Sequence, residues 1–198
     1  PDLAARQRTR ARMEHAMRAW MAANDFCKLH PPIITSSDCE GGGEIFQVVA
    51  DAVVALFSPE TMSLTSARNG SVAAFLSGQP AYLTVSAQLH LEAYALGLSR
   101  VWSLCPVFRA EGSATNRHLA EVRMLEAEMC WLPDGEQALR MVLDVTESVL
   151  KSALQAAWHD ERAKEDMVFL GATYDAALID SLWPRLTYTD AVRLCRAH

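Results

Sequence analysis

Two runs of strand-type sequence, Val101 to Ala110 and Leu119 to Trp131, flank a short polar segment, Gly112-Ser113-Ala114-Thr115-Asn116. Such runs joined by a polar connection predict two neighbouring antiparallel strands. No other feature limits the fold as much, because strands this long must bury at least one face. Strand side chains alternate, so Arg109 and Glu111, two apart, fall on the same side. Arg109 offers a planar, permanently charged fork suited to a phosphate. Glu111 offers an acceptor for an amino group, such as the exocyclic nitrogen of adenine. Arg117 and His118 return beyond the polar segment. A strand, a loop and a returning strand carrying these groups predict a nucleotide cradle. It is not of the P-loop kind, since the sequence has no Gly-x-x-x-x-Gly-Lys run. The plainer alternative is a surface ion pair between Arg109 and Glu111.

The rest of the chain reads as helices and strands interspersed. Met13, Ala16, Met17, Trp20 and Met21 recur at three-to-four spacing, which predicts an amphipathic helix from about Leu3 to Ala23, ended by Asn24-Asp25. That stripe suits an internal core face or a contact with a second copy equally well. Phe26 to Thr35 reads as a strand entering a proline corner, and Phe46 to Phe57 as strand then helix. Residues 58 to 80 read as irregular. Ala81 to Val85 predicts a short strand, and Ser86 to Leu96 a helix closed by Gly97. After Pro133-Asp134-Gly135, with Asp134 and Gln137 as a capping arrangement, an apolar stripe from Ala138 to Trp158 predicts a long helix. That helix needs a wide partner, most simply the sheet. The pattern is α+β, an antiparallel sheet flanked by helices, rather than a doubly wound parallel sheet.

Composition narrows the partners. The 198 residues carry a formal charge of -6, which argues against wholesale attraction to nucleic acid. A nucleic-acid partner would need a local patch, such as Arg6, Arg8, Arg10 and Arg12, or Arg117 and Arg123; a solvated helix face is the plainer reading of the first four. Five cysteines, with no Cys-x-x-Cys pair, suggest neither a zinc ribbon nor a disulfide framework and fit a reducing compartment. No apolar stretch is long enough to span a bilayer, and no secretory leader is visible.

The Phe108-Arg109-Ala110-Glu111 and Arg117-His118-Leu119-Ala120-Glu121 pair closely resembles motif 2 of the class II aminoacyl-tRNA synthetases, in the aspartyl/asparaginyl branch. The segment Pro31-Pro32-Ile33-Ile34-Thr35-Ser36-Ser37-Asp38-Cys39-Glu40-Gly41-Gly42-Gly43-Glu44 resembles the stretch after motif 1 in the asparaginyl members. Tyr82-Leu83-Thr84-Val85-Ser86-Ala87-Gln88-Leu89-His90 resembles their amino-acid-binding strand and helix start, and Leu186-Thr187-Tyr188-Thr189-Asp190-Ala191 a region further on. The likeness covers most of the chain in order. It implies motif 1 at about 13–35, motif 2 at about 101–131, and residues 1–198 as the N-terminal part of a catalytic domain.

The resemblance implies activation of an amino acid with ATP and Mg2+, chemistry that needs alignment and charge neutralisation rather than a protein nucleophile. Arg109 would be the catalytic residue, holding the α-phosphate and the substrate carboxylate. Glu111 would meet the adenine edge, and Arg117, His118 and Leu119 would contact ATP, with His118 nearest the γ-phosphate. Glu40 would meet the substrate ammonium, Ser86 and Gln88 would read the amine, and Glu126 would face the same pocket. The substrate is read as asparagine. Leu91 stands where aspartyl enzymes carry a lysine, and Glu126 can accept from an amide but repels a carboxylate. The partners implied are asparagine, tRNA(Asn) and a second copy through the motif 1 region. The wording of residues 85–93 resembles fungal or mitochondrial-type members, so the mitochondrial matrix is favoured over the cytoplasm.

The sequence departs from the family pattern in three places. Val122 stands where a phenylalanine stacks on adenine, and valine has no stacking face. No Gly-rich run followed by Asp-Arg, the mark of motif 3, appears after Gly171. No oligonucleotide-binding barrel precedes the first helix. The expectation is therefore an incomplete catalytic domain, inactive by itself. The alternatives are a non-catalytic relative that dimerises or binds tRNA, and a tRNA-independent asparagine synthetase on the same core.

Overall fold

The computed structural model describes residues 2–36, 45–48, 80–112, 115 and 118–197. They form two compact units, one of Pro1–Asp25 with Leu132–His198 and one of Phe26–Trp131.

The first unit is helical. Helix α1 spans Asp2–Ala23 and ends where Asp25 adopts a left-handed φ of 62°. Within the Phe26–Trp131 unit lie strands β1 (Cys27–Lys28), β2 (Ile34–Thr35), β3 (Gln47–Val48) and β4 (Ala81–Leu83), helix α2 (Gln88–Leu98), and strands β5 (Arg100–Phe108) and β6 (Glu121–Met129). The helical unit resumes with α3 (Glu136–Trp158), α4 (Glu161–Phe169), α5 (Ala176–Ile179) and α6 (Tyr188–Ala197).

In the helical unit, Ala157, Trp158 and Ile179 form a buried cluster on which Met13, Leu154, Met167 and Ala172 pack. Met13 and the fully buried Met21 thus make part of the α1 stripe an internal core face. Within its own unit the long apolar stripe of α3 packs on helices α1, α4 and α5. Its N-terminal half stays open, with Leu139 and Val142 exposed. The expected Asp134 cap is not made: Gly135 occupies the cap position at φ 64°, with no side-chain bond to the helix start. Asp160 does cap α4, accepting from the Ala163 N–H at 2.9 Å.

Two of the N-terminal arginines are spent on the fold. Arg8 Nε and Arg12 Nη1 donate to Asp166 Oδ2 at 3.0 and 2.7 Å, clasping α1 to α4. Asp166 is buried, and the two guanidinium groups hold its carboxyl down at about 2, below the ordinary 3.8. On α3, Glu147 accepts from the Trp183 N–H at 2.9 Å and meets Lys151 and Arg185 at 2.6 Å each.

In the sheet-bearing unit, β5 and β6 pair antiparallel over nine residues each, from Arg100↔Met129 to Phe108↔Glu121. The two long strands pair as the sequence predicts, with Arg100–Phe108 and Glu121–Met129 in the ladder. Strand β1 joins the other edge of β5 in parallel, so the sheet order is β1-β5-β6. The run from Phe26 to Thr35 is not one strand. It splits into β1 and β2, and β2 joins a second sheet of order β2-β4-β3. His30, Pro31 and Pro32 lie between them; prolines cannot donate to a ladder, which makes a strand break there natural.

Alternation and register put Val101, Ser103, Cys105 and Val107 of β5 on one face with Val122, Met124, Glu126 and Glu128 of β6. Helix α2 covers the Val101 end of that face, with Ala87, Leu91 and Ala95 buried against Val101. Gly97 does not stop α2. The helix runs on to Leu98, and Ser99, at φ 65°, donates its N–H to the Ala95 carbonyl at 2.8 Å.

Candidate active site

The open end of the β5–β6 pair holds a cavity of about 260 Å³ lined by Phe46, Arg109, Ala110, Glu111, His118, Leu119 and Ala120. It lies where the strands part. The Arg109 N–H still donates to the Ala120 carbonyl at 3.1 Å, after which the chain leaves the ladder. From the other edge, the Phe108 N–H donates to the Thr84 carbonyl at 2.8 Å, so the segment after β4 braces the end of β5.

Three charged or titratable groups converge here. Arg109 Nη1 stands 4.0 Å from Glu111 Oε1, and His118 Nε2 stands 3.4 Å from Glu111 Oε2. All three side chains are between a third and a half exposed, so water or a ligand can reach them. His118 is also held from its other side, with Thr115 Oγ1 at 2.5 Å from Nδ1. The cavity therefore joins a cationic fork, a carboxylate and an imidazole. That combination suits a polyanion carrying an amino-substituted ring.

A second constellation lies further along the same sheet face. Glu126 accepts a hydrogen bond from the Ser86 hydroxyl, and both its oxygens accept from the Ala87 N–H, at 3.1 and 3.0 Å. Ser86 Oγ in turn accepts from the Gln88 N–H at 3.1 Å. Ser86 precedes α2, Gln88 opens it, and the Gln88 amide donates to Glu92 Oε1 at 2.8 Å. A carboxylate at the start of a helix is favoured by the free N–H groups there, and Glu126 fills that place from across the sheet. Burial, with Glu92 and Glu126 close by, pushes the neighbouring Glu128 carboxyl up.

Of the residues singled out from the sequence, Arg109, Glu111, His118 and Leu119 come together around the cavity. Ser86, Gln88 and Glu126 gather at the start of α2. Glu126 does not line the Arg109 cavity. It lies six residues beyond Ala120 on β6, roughly 20 Å away at about 3.3 Å per residue. Val122 sits between the two groups, opposite Val107 and on the shared face. Glu40 and Arg117 lie outside the described residues. Leu91 is fully buried in the core under α2 and brings no charge to the face. Thr115 and Phe46 carry no signal of their own in the sequence. Thr115 reads there as one polar loop residue among several, and Phe46 as part of an apolar run. Among the described residues no cluster of three or more His, Cys, Asp or Glu side chains is placed to hold a metal ion.

Two antiparallel strands that part around Arg109, Glu111 and His118 are the arrangement that the resemblance to class II synthetases leads one to expect. Residues 1–196 match the family described as tRNA synthetases class II (D, K and N), and the chain belongs to that family. Among curated relatives, the mitochondrial asparagine–tRNA ligase of Schizosaccharomyces pombe is 39% identical over 177 residues, 89% of this chain and 35% of that protein. The mitochondrial asparagine–tRNA ligase of Saccharomyces cerevisiae is 34% identical, over 98% of this chain and 39% of its own length. The crystal structure of asparaginyl-tRNA synthetase from Pyrococcus horikoshii complexed with asparaginyl-adenylate superimposes with a TM-score of 0.75 at 28% identity, covering 100% of this chain and 38% of that one. The chain thus spans between a third and two fifths of the length of these relatives. No helix among the described residues is long and apolar enough to cross a membrane.

Proposed function

We propose that this chain is part of an asparagine–tRNA ligase catalytic domain, in which ATP activates asparagine to asparaginyl-adenylate for transfer to tRNA(Asn). The observation that carries the reading is the convergence of Arg109, Glu111 and His118 on one cavity at the end of the β5–β6 pair. Arg109 neutralises the α-phosphate and the attacking carboxylate, Glu111 accepts from the adenine amino group, and His118 reaches toward the γ-phosphate. Arg117 and Leu119 complete the loop contact, and Val122 gives apolar contact without stacking. Mg2+ would come to the site on the nucleotide's phosphates and would offset their negative charge, beside Arg109 and His118.

The amino-acid end of the substrate lies toward the start of α2. An aminoacyl-adenylate is a long molecule with an amino acid at one end and adenine at the other. Arg109 and Glu126 lie on the same face of the β5–β6 pair. Ser86, Gln88, Glu126 and Glu40 serve the amino-acid end. Asparagine is favoured over aspartate because Glu126 repels a second carboxylate and Leu91 supplies no cation to offset it. The names of these two relatives support the same substrate and a mitochondrial location. A homodimer through the motif 1 region, residues 13–35, completes the proposal. A second reading, a relative that binds without activating, is favoured by Val122 alone.

Equilibrium binding to the chain tests the proposal. A non-hydrolysable asparaginyl-adenylate analogue should bind more tightly than the aspartyl analogue, and each should compete with ATP. Absence of nucleotide binding, or preference for the aspartyl analogue, overturns it.

A further inference from the structure

We infer that Thr115 is a positioning residue that fixes the His118 ring with its Nε2–H directed into the cavity as a hydrogen-bond donor for an anionic group. The inference deepens the nucleotide-binding reading of this cavity and rests on it for the identity of the ligand. It rests on geometry for the role of Thr115.

Two contacts reach the His118 ring from opposite sides. Thr115 Oγ1 lies 2.5 Å from Nδ1, and Glu111 Oε2 lies 3.4 Å from Nε2. Thr115 and His118 are also joined through the backbone, where the His118 N–H donates to the Thr115 carbonyl at 3.2 Å. The backbone and side-chain contacts between these two residues therefore close on each other and hold the ring from its Nδ1 side.

The chemistry of the two partners decides which nitrogen carries the proton. An ionised carboxylate can only accept, so the nitrogen facing Glu111 is the protonated one. The opposite nitrogen, Nδ1, is then bare in the neutral ring and accepts from the Thr115 hydroxyl, which both donates and accepts. Should the ring become an imidazolium, Nδ1–H donates to Thr115 Oγ1 instead. Nε2 holds its proton in both charge states, so a threonine hydroxyl is a partner that suits either. Glu111 faces that nitrogen at 3.4 Å and also stands 4.0 Å from the Arg109 guanidinium. It occupies the position an anionic ligand group would take between them. A bound triphosphate takes over the Nε2–H, and Glu111 is released.

Nitrogen-15 NMR of the histidine ring, with binding of magnesium-ATP in parallel, tests this on the intact chain. In the parent, His118 should show the Nε2–H tautomer. Thr115→Val, which keeps the shape and removes the hydroxyl, should shift the ring toward a mixture of tautomers. It should also weaken ATP binding roughly three- to ten-fold, the scale of one hydrogen bond. Thr115→Ser should match the parent in both readouts. An Nδ1–H tautomer in the parent overturns the inference, as does a Thr115→Val variant with unchanged ring shifts and unchanged ATP affinity. Failure of the parent to bind ATP would instead sink the proposed function, leaving the tautomer measurement to judge Thr115 by itself.

Discussion

The Ser86 hydroxyl donates to the Glu126 carboxylate across a sequence separation of 40 residues, tying the start of α2 to the middle of β6. The same carboxylate takes the Ala87 N–H on both oxygens. Glu126 therefore has a structural duty besides any contact with substrate. A half-buried carboxylate accepting these bonds satisfies donors at the start of α2 that the helix itself cannot pair.

Replacing Glu126 separates the two duties. Glu126→Ala removes every acceptor and should cost about 2 kcal/mol in urea unfolding, the scale of hydrogen bonds to a charged group. Glu126→Gln keeps one acceptor oxygen and the side-chain volume but loses the charge. It should cost less stability, and it should narrow the preference for the asparaginyl over the aspartyl adenylate analogue. An unchanged preference in Glu126→Gln would assign Glu126 to the fold alone.

Arg109 and Glu111 should part company in binding experiments. Arg109→Lys keeps a positive charge but loses the planar fork, so it should not restore what Arg109→Ala removes. Both variants should bind ATP at least ten-fold more weakly than the parent in calorimetric titration. Glu111→Gln should affect ATP and GTP differently, because Glu111 is read as the acceptor for an amino group that only adenine presents at that position. Equal loss for the two nucleotides would place Glu111 outside base recognition.

The β5–β6 pair is legible in the sequence because its signals are local: alternation, a polar loop, and two charged groups at fixed spacing. Arg109, Glu111 and His118 are close in sequence, so their convergence follows once the strands are paired. Glu126 shows no partner to a local reading. Its partners, Ser86 and Ala87, come from a helix start far away in the chain, and no short-range pattern reveals such a contact. The α3 stripe is readable as a helix, yet its partners are not. A stripe tells that a face is covered, and α1, α4 and α5 can cover it as well as a sheet can. The arginines of α1 illustrate the same limit. Arg8 and Arg12 look like any exposed basic face until Asp166, more than 150 residues on, is brought beneath them.

Glu128 gives a prediction of the opposite sign to Glu126. Burial raises its carboxyl, and the nearby Glu92 and Glu126 raise it further. An acid whose folded value is raised destabilises the fold wherever it is charged, and the penalty disappears once the pH falls below the unfolded value. Glu128→Gln should therefore raise the melting temperature at neutral pH, and the gain should vanish in acid. A variant that is less stable at neutral pH would mean that Glu128 makes a favourable contact outweighing this repulsion.

Asp166 sets how the helical unit responds to acid. Its folded value is held at about 2 against an ordinary 3.8, chiefly by the hydrogen bonds from Arg8 and then Arg12. For a carboxyl whose folded value is depressed, the stabilisation is complete above the unfolded value and is lost as pH falls through the folded one. The contribution should accordingly be full at about pH 5 and above, decline as pH drops below about 4, and be gone below about 2. Asp166→Asn keeps the shape but cannot ionise, so it should be less stable than the parent at neutral pH. The two proteins should then converge in melting temperature as the solution is acidified across that window. Raised salt should narrow the neutral-pH gap only partly, because Asp166 is 7% exposed while Arg8 reaches into solvent. Parallel melting curves for parent and variant down to about pH 2 would mean that the α1–α4 clasp contributes nothing to stability.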